Sequence, residues 1–421
     1  MLPNFLTGQS SFIKRVGTNA LANIVSKAQI FIVAVVLSRF FSVQEFASFG
    51  VILTVIGLVS VFAAVGLGPA VVRFVAKEPD ISKRNVIASS ALGVNALLSV
   101  VLCSILFFSV NFIEAELGYV IDGFDVALRL VCPGIFLLLL SQVCISFLNG
   151  LQRFDLVAKC QIIVALISLP LQLGLSFVYG LYGFSLGFLI SNLLLFVTLT
   201  YFILGDRLLT TFEFNWLECK QLLAFSLPSF LSGIWPMPLM AFAFWTISHH
   251  EEAALQAAIL TSANQVFAVL YFLPVMVAQV LMPKVASQQN ESEQSLILSR
   301  LLRKLIPAIL VLTVLLGLIS PIFPWLFDFD IQATIWVFIA VILTVAIVSV
   351  QTQIDHFNVG SGRVWLHFWL NAFWGCIFLA AILYMDIWGA LGIVLARLLA
   401  YFARSILLVF YLPSPSAVRN S

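Results

Sequence analysis

Charge is scarce in this chain. Asp, Glu, Lys and Arg make up 10% of its 421 residues, against 62% hydrophobic, and such a composition excludes the solvated surface of an ordinary soluble domain. Cysteine is nearly as sparse. Cys103, Cys132, Cys144, Cys160, Cys219 and Cys376 include no pair at metal-ligand or redox spacing, so all six read as reduced packing residues. No G-x-x-x-x-G-K-[ST] phosphate loop is present, which excludes nucleotide hydrolysis by that route. There is no H-E-x-x-H and no Cys/His cluster with zinc spacing. The four histidines, His249, His250, His356 and His367, sit in no motif of a catalytic pair. The expectation is therefore a chain that is not an enzyme, with no catalytic residues, no metal, no cofactor and no nucleic-acid partner.

What the chain has in quantity is long apolar runs. Stretches of roughly 20 residues separate short charged clusters, and a helix of that length crosses a hydrocarbon core of about 30 Å. The sequence predicts an all-α polytopic membrane protein of about twelve helices. They lie near 16–38, 46–70, 86–112, 124–148, 157–179, 183–204, 224–247, 253–282, 305–327, 333–355, 365–384 and 388–411. The N-terminal run is longer than a signal-peptide core and lacks a clear small-residue cleavage site, so it reads as the first span.

The clusters alternate in sign. Lys14, Arg15, Arg73, Lys77, Lys83, Arg84, Arg153, Lys159, Arg207, Lys220, Lys284, Arg300, Arg303, Lys304, Arg363, Arg404 and Arg419 fall on one side. Glu45, Glu114, Glu116, Asp122, Asp125, Glu251, Glu252, Asp328, Asp330 and Asp386 fall on the other, with Arg39 and Arg129 as its only basic residues. Basic residues near helix ends stay in the cytoplasm, so both termini are expected there. The net charge of +2 conceals this asymmetry.

The two halves resemble each other at an offset near half the length. Gln142, Ile145, Asn149, Gly150 and Arg153 at the end of the fourth helix match Gln351, Ile354, Asn358, Gly360 and Arg363 at the end of the tenth. Leu186-Gly187 pairs with Leu391-Gly392, and Glu45 and Lys77 bracket helix 2 as Glu252 and Lys284 bracket helix 8. This pattern predicts two pseudo-symmetric six-helix lobes, 1–210 and 211–421, with a central cleft between them. Six is even, so the lobes share an orientation about an axis along the membrane normal.

Polar side chains at membrane depth are functional candidates by default. Asn19, Asn23, Ser26 and Lys27 share one face of helix 1, with Lys27 roughly 18 Å beyond Arg15. Arg397, Tyr401 and Arg404 share a face of helix 12, with Arg397 near mid-depth. Lys27 and Arg397 each admit two readings, a cation facing the cleft or a packing partner. Arg404, nearer the helix end, is expected to snorkel to the interface. Helix 8 offers Gln256, Thr261, Ser262, Asn264, Gln265 and Gln279, suited to sugar hydroxyls but equally to interhelical bonds. Asp355 closes helix 10 and is a candidate for carrying a coupling proton. Pro228, Pro236 and Pro238 predict a kinked helix 7.

Certain of these residues also carry a family resemblance. They are Leu37-Ser38-Arg39-Phe40-Phe41 through Gly50, Val65-Gly66-Leu67-Gly68-Pro69-Ala70 with Arg73 and Lys77, Asn149-Gly150-Leu151-Gln152-Arg153-Phe154-Asp155, and Phe225-Ser226-Leu227-Pro228-Ser229. In these the chain resembles the polysaccharide transporter family, the O-antigen flippases of bacterial inner membranes, within the multidrug/oligosaccharidyl-lipid/polysaccharide superfamily. The resemblance implies a V-shaped pair of six-helix bundles. It also implies flipping of an undecaprenyl-pyrophosphate-linked oligosaccharide from the cytoplasmic to the periplasmic leaflet, driven by an ion gradient. Such a substrate needs cations in a low-dielectric cleft, and Lys27 and Arg397 would supply them; Asn19, Asn23, Asn264, Gln265 and Tyr401 are the accompanying substrate candidates. Expected partners are the lipid-linked oligosaccharide, membrane lipids, and a polysaccharide polymerase and chain-length regulator. One rival is a multidrug or cation exporter of the same superfamily, which needs acidic residues in its cavity. Another is a membrane-embedded glycan polymerase or ligase, which needs a larger outer loop than any here.

Overall fold

A computed structural model describes residues 28–286, 290–361 and 363–411. Among these residues every regular element is helical. In chain order they are α1 (Ala28–Phe40 as described), α2 (Val43–Ala64), α3 (Leu67–Lys77), α4 (Ile81–Leu117), α5 (Phe124–Gly150), α6 (Phe154–Gly205) and α7 (Trp216–Gly233). The rest are α8 (Pro236–Ile247), α9 (Ala253–Ala286), α10 (Glu291–Leu318), α11 (Ile322–Leu326), α12 (Ile331–Gly360), α13 (Val364–Met385) and α14 (Gly389–Tyr411). Among the described residues nine segments are long and apolar enough to cross a membrane. Two of them, 154–205 and 364–409, hold two crossings each. A 52-residue helix would be about 78 Å long, and each is interrupted once. With α1 this makes the twelve helices that the apolar runs imply, in a multi-pass membrane protein.

The interruptions have local causes. Within 154–205 the break is Gly180, at φ 56°, ψ −136°, a conformation that only glycine adopts without strain. In 364–409 it is Gly389, at φ 59°, ψ −136°, after a short 3₁₀ turn. A Cβ at Gly183 would overlap the Leu175 carbonyl oxygen, and one at Gly392 the Met385 carbonyl oxygen, so the chain folds back on itself closely at both places. Gly180 and Gly389, like Gly183 and Gly392, are 209 residues apart, as are Gln142 and Gln351 or Asn149 and Asn358. The helix-start residues repeat too. Arg153 has φ −88°, ψ 48° and Arg363 has φ −85°, ψ 48°, and each donates its N–H to the carbonyl five residues back. The partner of Gly392 is therefore Gly183 rather than Gly187. The backbone turn, not the dipeptide Leu-Gly, is the repeated feature.

Helix limits differ from expectation where polar residues extend a helix beyond its apolar part. Helix α10 starts at Glu291, well before 305, through a turn bearing Arg300, Arg303 and Lys304. Helix 2 is broken at Val65 and Gly66, φ 43° and 67°, into α2 and α3. The break frees carbonyls at the end of α2, and Asn95 Nδ2 donates to one of them, Ala63 O, at 3.3 Å. Helix 7 divides before Pro236 into α7 and α8, the interruption that its prolines predict.

The described chain forms two compact units. One contains the residues up to Phe40 together with Ile52–Phe230, the other Phe41–Val51 and the residues from Leu231 onward. The division falls within α7, past 210, because Cys219 and Leu222 are fully buried in the first unit's core with Leu67, Val71, Ile87, Phe147 and Leu156. The link before α7 is tied to α4 as well. Asn85 Nδ2 donates to Thr210 Oγ1 at 2.8 Å, and Asn215 N to Ser90 Oγ at 2.9 Å. In the second unit, α9, α12, α13 and α14 pack around one another, and Gly50 of α2 lets the chain pass so close to α9 that any Cβ would meet Thr261.

Candidate functional site

The polar residues of the second unit converge on its interior. Helical spacing puts Arg397, Tyr401 and Arg404 on one face of α14, Asn264, Phe267 and Tyr271 on one face of α9, and Gln351, Thr352 and Asp355 along α12. Helix α8 adds Met240, and α13 adds His367, Asn371 and Trp374.

Arg397 is 5% exposed. Its Nη2 donates to Asn264 Oδ1 at 2.6 Å and lies 3.7 Å from Met240 Sδ. The guanidinium stands over the Phe267 ring, 5.1 Å from its centroid, and Asn264 is held in turn by donating Nδ2 to the same Met240 sulfur at 3.3 Å. Nε has no acceptor. Amide, thioether and ring are all neutral, so among the described residues this buried cation has no carboxylate against it.

Two helical turns further along α14 the arrangement reverses. Arg404 is 2% exposed and donates to Asp355 Oδ1 at 2.5 Å and to Gln351 Oε1 at 3.1 Å. Gln351 then uses Nε2 on Tyr401 O and Ser405 Oγ, both at 2.7 Å. Asp355 Oδ1 also lies 3.2 Å from His367 Nδ1. Asn371 Nδ2 donates to Ser232 O at 2.8 Å and stands 3.2 Å from His367 Nε2. Tyr271 Oη and Thr352 Oγ1 are 2.9 Å apart, and the Tyr401 ring packs against Trp374 with centroids 5.0 Å apart and planes tilted by 35°.

The structure thus brings Arg397 to Asn264, and Tyr401 to the Gln351–Arg404 network. Gln265 is half-buried and makes none of these contacts. Asn19, Asn23 and Lys27 lie outside the described residues. Arg404 is a correction. It does not snorkel but turns inward, because Asp355 and Gln351 on the packed neighbour α12 offer it a countercharge and an acceptor. Arg129 pairs with Asp125 at 2.7 Å and also donates to Asn111. Met240, Phe267 and Trp374 carried no signal in sequence, being apolar residues in an apolar chain. His367 gives no local signal because its partner Asp355 lies on another helix.

The first unit does not repeat this chemistry. At the 209-residue offset Arg397, Arg404 and Asp355 correspond to Phe188, Leu195 and Ser146. Among the described residues no cluster of three or more His, Cys, Asp or Glu side chains is arranged to hold a metal.

Comparison with known proteins agrees with this architecture. A family model described as polysaccharide biosynthesis protein matches residues 36–323. No curated protein matches the chain. Among solved structures, the lipid II flippase MurJ in an inward closed conformation superposes with a TM-score of 0.75 at 18% identity, covering 93% of this chain and 87% of its own. An inward-facing multidrug resistance MATE family transporter of the MOP superfamily gives 0.73 at 15% identity, over 96% of both chains. A MOP superfamily transporter from Pyrococcus furiosus, described by a reverse polarity of its binding pocket, gives 0.70 at 15% identity over 94% of both. At such identities the likeness is one of fold. The family model spans well over half of the sequence, and the chain belongs to the polysaccharide biosynthesis protein family.

Proposed function

We propose that the protein is a flippase that moves an undecaprenyl-pyrophosphate-linked oligosaccharide, an O-antigen or other surface-polysaccharide repeat unit, from the cytoplasmic to the periplasmic leaflet by alternating access. The observation that carries this reading is Arg397, a buried guanidinium whose partners are all neutral. An uncompensated cation in a low-dielectric interior is costly, and an anionic head group relieves that cost. Membership in a polysaccharide biosynthesis family and a fold shared with a lipid II flippase support a lipid-linked glycan as the source of the anion. The chain would act in the bacterial inner membrane with both termini cytoplasmic, beside a polysaccharide polymerase and chain-length regulator.

Asn264 and Tyr401 fit as neighbours of the head group, and Gln265, Asn19, Asn23 and Lys27 as further contacts. A coupling proton on Asp355 would remove the anion from Arg404, so coupling there requires Arg404 to move as the carboxylate is protonated. The carboxylate that a cation exporter would need is already engaged in this state by Arg404 and His367, which weighs against that alternative.

The test is reconstitution of the full chain in proteoliposomes with a fluorescent undecaprenyl-pyrophosphate oligosaccharide, following its accessibility to an externally added glycan-modifying enzyme. Wild type should equilibrate the substrate across the bilayer, and Arg397→Gln should slow this at least tenfold. Equal rates for both proteins, or no flipping beside active extrusion of a cationic drug, would overturn the reading.

A further inference from the structure

A second feature of the same unit lies outside the polar interior. Helices α10, α12 and α14 leave a groove of about 350 Å³ between them, lined by Ile306, Leu310, Ile347, Val350, Leu408 and Val409 among others. Its two polar lining residues, Gln351 and Ser405, are bonded to each other, and Gln351 also to Arg404 and Tyr401 O. The groove thus favours an apolar occupant.

One end of this groove is basic. Arg300, Arg303 and Lys304 are exposed on α10, and none forms an ion pair among the described residues. Arg303 precedes Ile306 by three residues and Leu310 by seven, so it lies on the groove's own face, about one turn from its lining. The groove also sits toward the ends of α12 and α14 that accompany this end of α10, so cations and apolar trough belong to the same leaflet.

We propose that this is a binding site for one anionic phospholipid of the bilayer, with its phosphate on Arg303 and Lys304 and one acyl chain along Ile306, Leu310, Ile347 and Val409. Charge selects the head group, and the trough selects a chain over a soluble phosphate. The site stands apart from Arg397 and does not depend on the flippase reading.

The experiment uses the full chain in non-ionic detergent, titrated with phosphatidylglycerol or phosphatidylcholine of identical acyl chains, with bound lipid counted by native mass spectrometry. One phosphatidylglycerol should be held in preference to phosphatidylcholine. Arg303→Ala/Lys304→Ala should weaken that binding roughly 30-fold, for two cations at about 1 kcal/mol each, and Arg303→Lys should keep it within about threefold. Leu310→Trp should weaken both lipids by filling the trough; because Arg303 and Lys304 are exposed, the alanine pair tests the site even if the tryptophan variant does not fold. Equal retention of the two lipids, or wild-type binding by the alanine pair, overturns the proposal. So does displacement by equimolar undecaprenyl phosphate, which would make the groove a substrate-tail site, or a lipid-free dimer, which would make it a subunit interface.

Discussion

Arg397 donates to Asn264 Oδ1 across 2.6 Å, so a cation buried in the second unit is held by a neutral amide. Seven residues on, Arg404 meets the carboxylate of Asp355. Among the described residues one arginine has a carboxylate partner and the other does not, and the difference lies in which residue of a neighbouring helix faces each.

Replacing the amide by an acid tests the distinction directly. Asn264→Asp would supply Arg397 with an internal anion at the same distance. Thermal stability in detergent is expected to hold or rise, while flipping of a pyrophosphate-linked substrate falls at least tenfold. Unchanged flipping would mean that Arg397 does not need its charge free for substrate.

The Arg404–Asp355 pair predicts a different pattern. Asp355→Asn leaves Arg404 buried without a counterion and should cost about 3–5 kcal/mol. Asp355→Asn combined with Arg404→Met should recover part of that loss, since an apolar chain of similar length carries no charge to strand. The measurement is unfolding of these two variants and of Arg404→Met alone against wild type, read as a double-mutant cycle. Additive losses would show that the two side chains do not act as a pair.

The hairpin glycines can be separated from ordinary ones. Gly180→Ala and Gly389→Ala force a Cβ into a positive-φ conformation, and at Gly389 also into the Gln256 side chain. Each is expected to cost about 1–3 kcal/mol. Gly174→Ala, on the helix just before the first hairpin with nothing within 4 Å of the new methyl, should be neutral or stabilise by up to about 1 kcal/mol. A thermal-shift series on the three variants decides it, and a similar loss in all three would contradict the hairpin account.

Much of the fold was legible because membrane helices announce themselves by length of apolar run, a property of local sequence. The limits were legible only where apolarity coincides with helicity. The basic start of α10 is hidden in sequence because Arg300, Arg303 and Lys304 end the apolar run without ending the helix. The internal repeat was visible at Gln142 and Gln351 but misaligned by four residues at the last helix, since Leu-Gly is common and the backbone turn at Gly180 and Gly389 is not written in any residue type but glycine itself.

The candidate site was legible only in part. Arg397 stood out because a charge inside an apolar helix is costly and conspicuous. Phe267 and Met240, which complete its surroundings, could not stand out among residues like themselves. Arg404 looked like a residue reaching for the interface, and only the packing of α14 against α12 showed a carboxylate within reach.

The sequence alone determined that this chain is helical and membrane-embedded, and that its interior carries a few cations. Those conclusions depend on composition and spacing, which are local. Tertiary structure decided which cation is neutralised and which is left open. Such pairing depends on the rotation of α14 against α9 and α12, and helix rotation is set by side-chain packing across elements far apart in sequence.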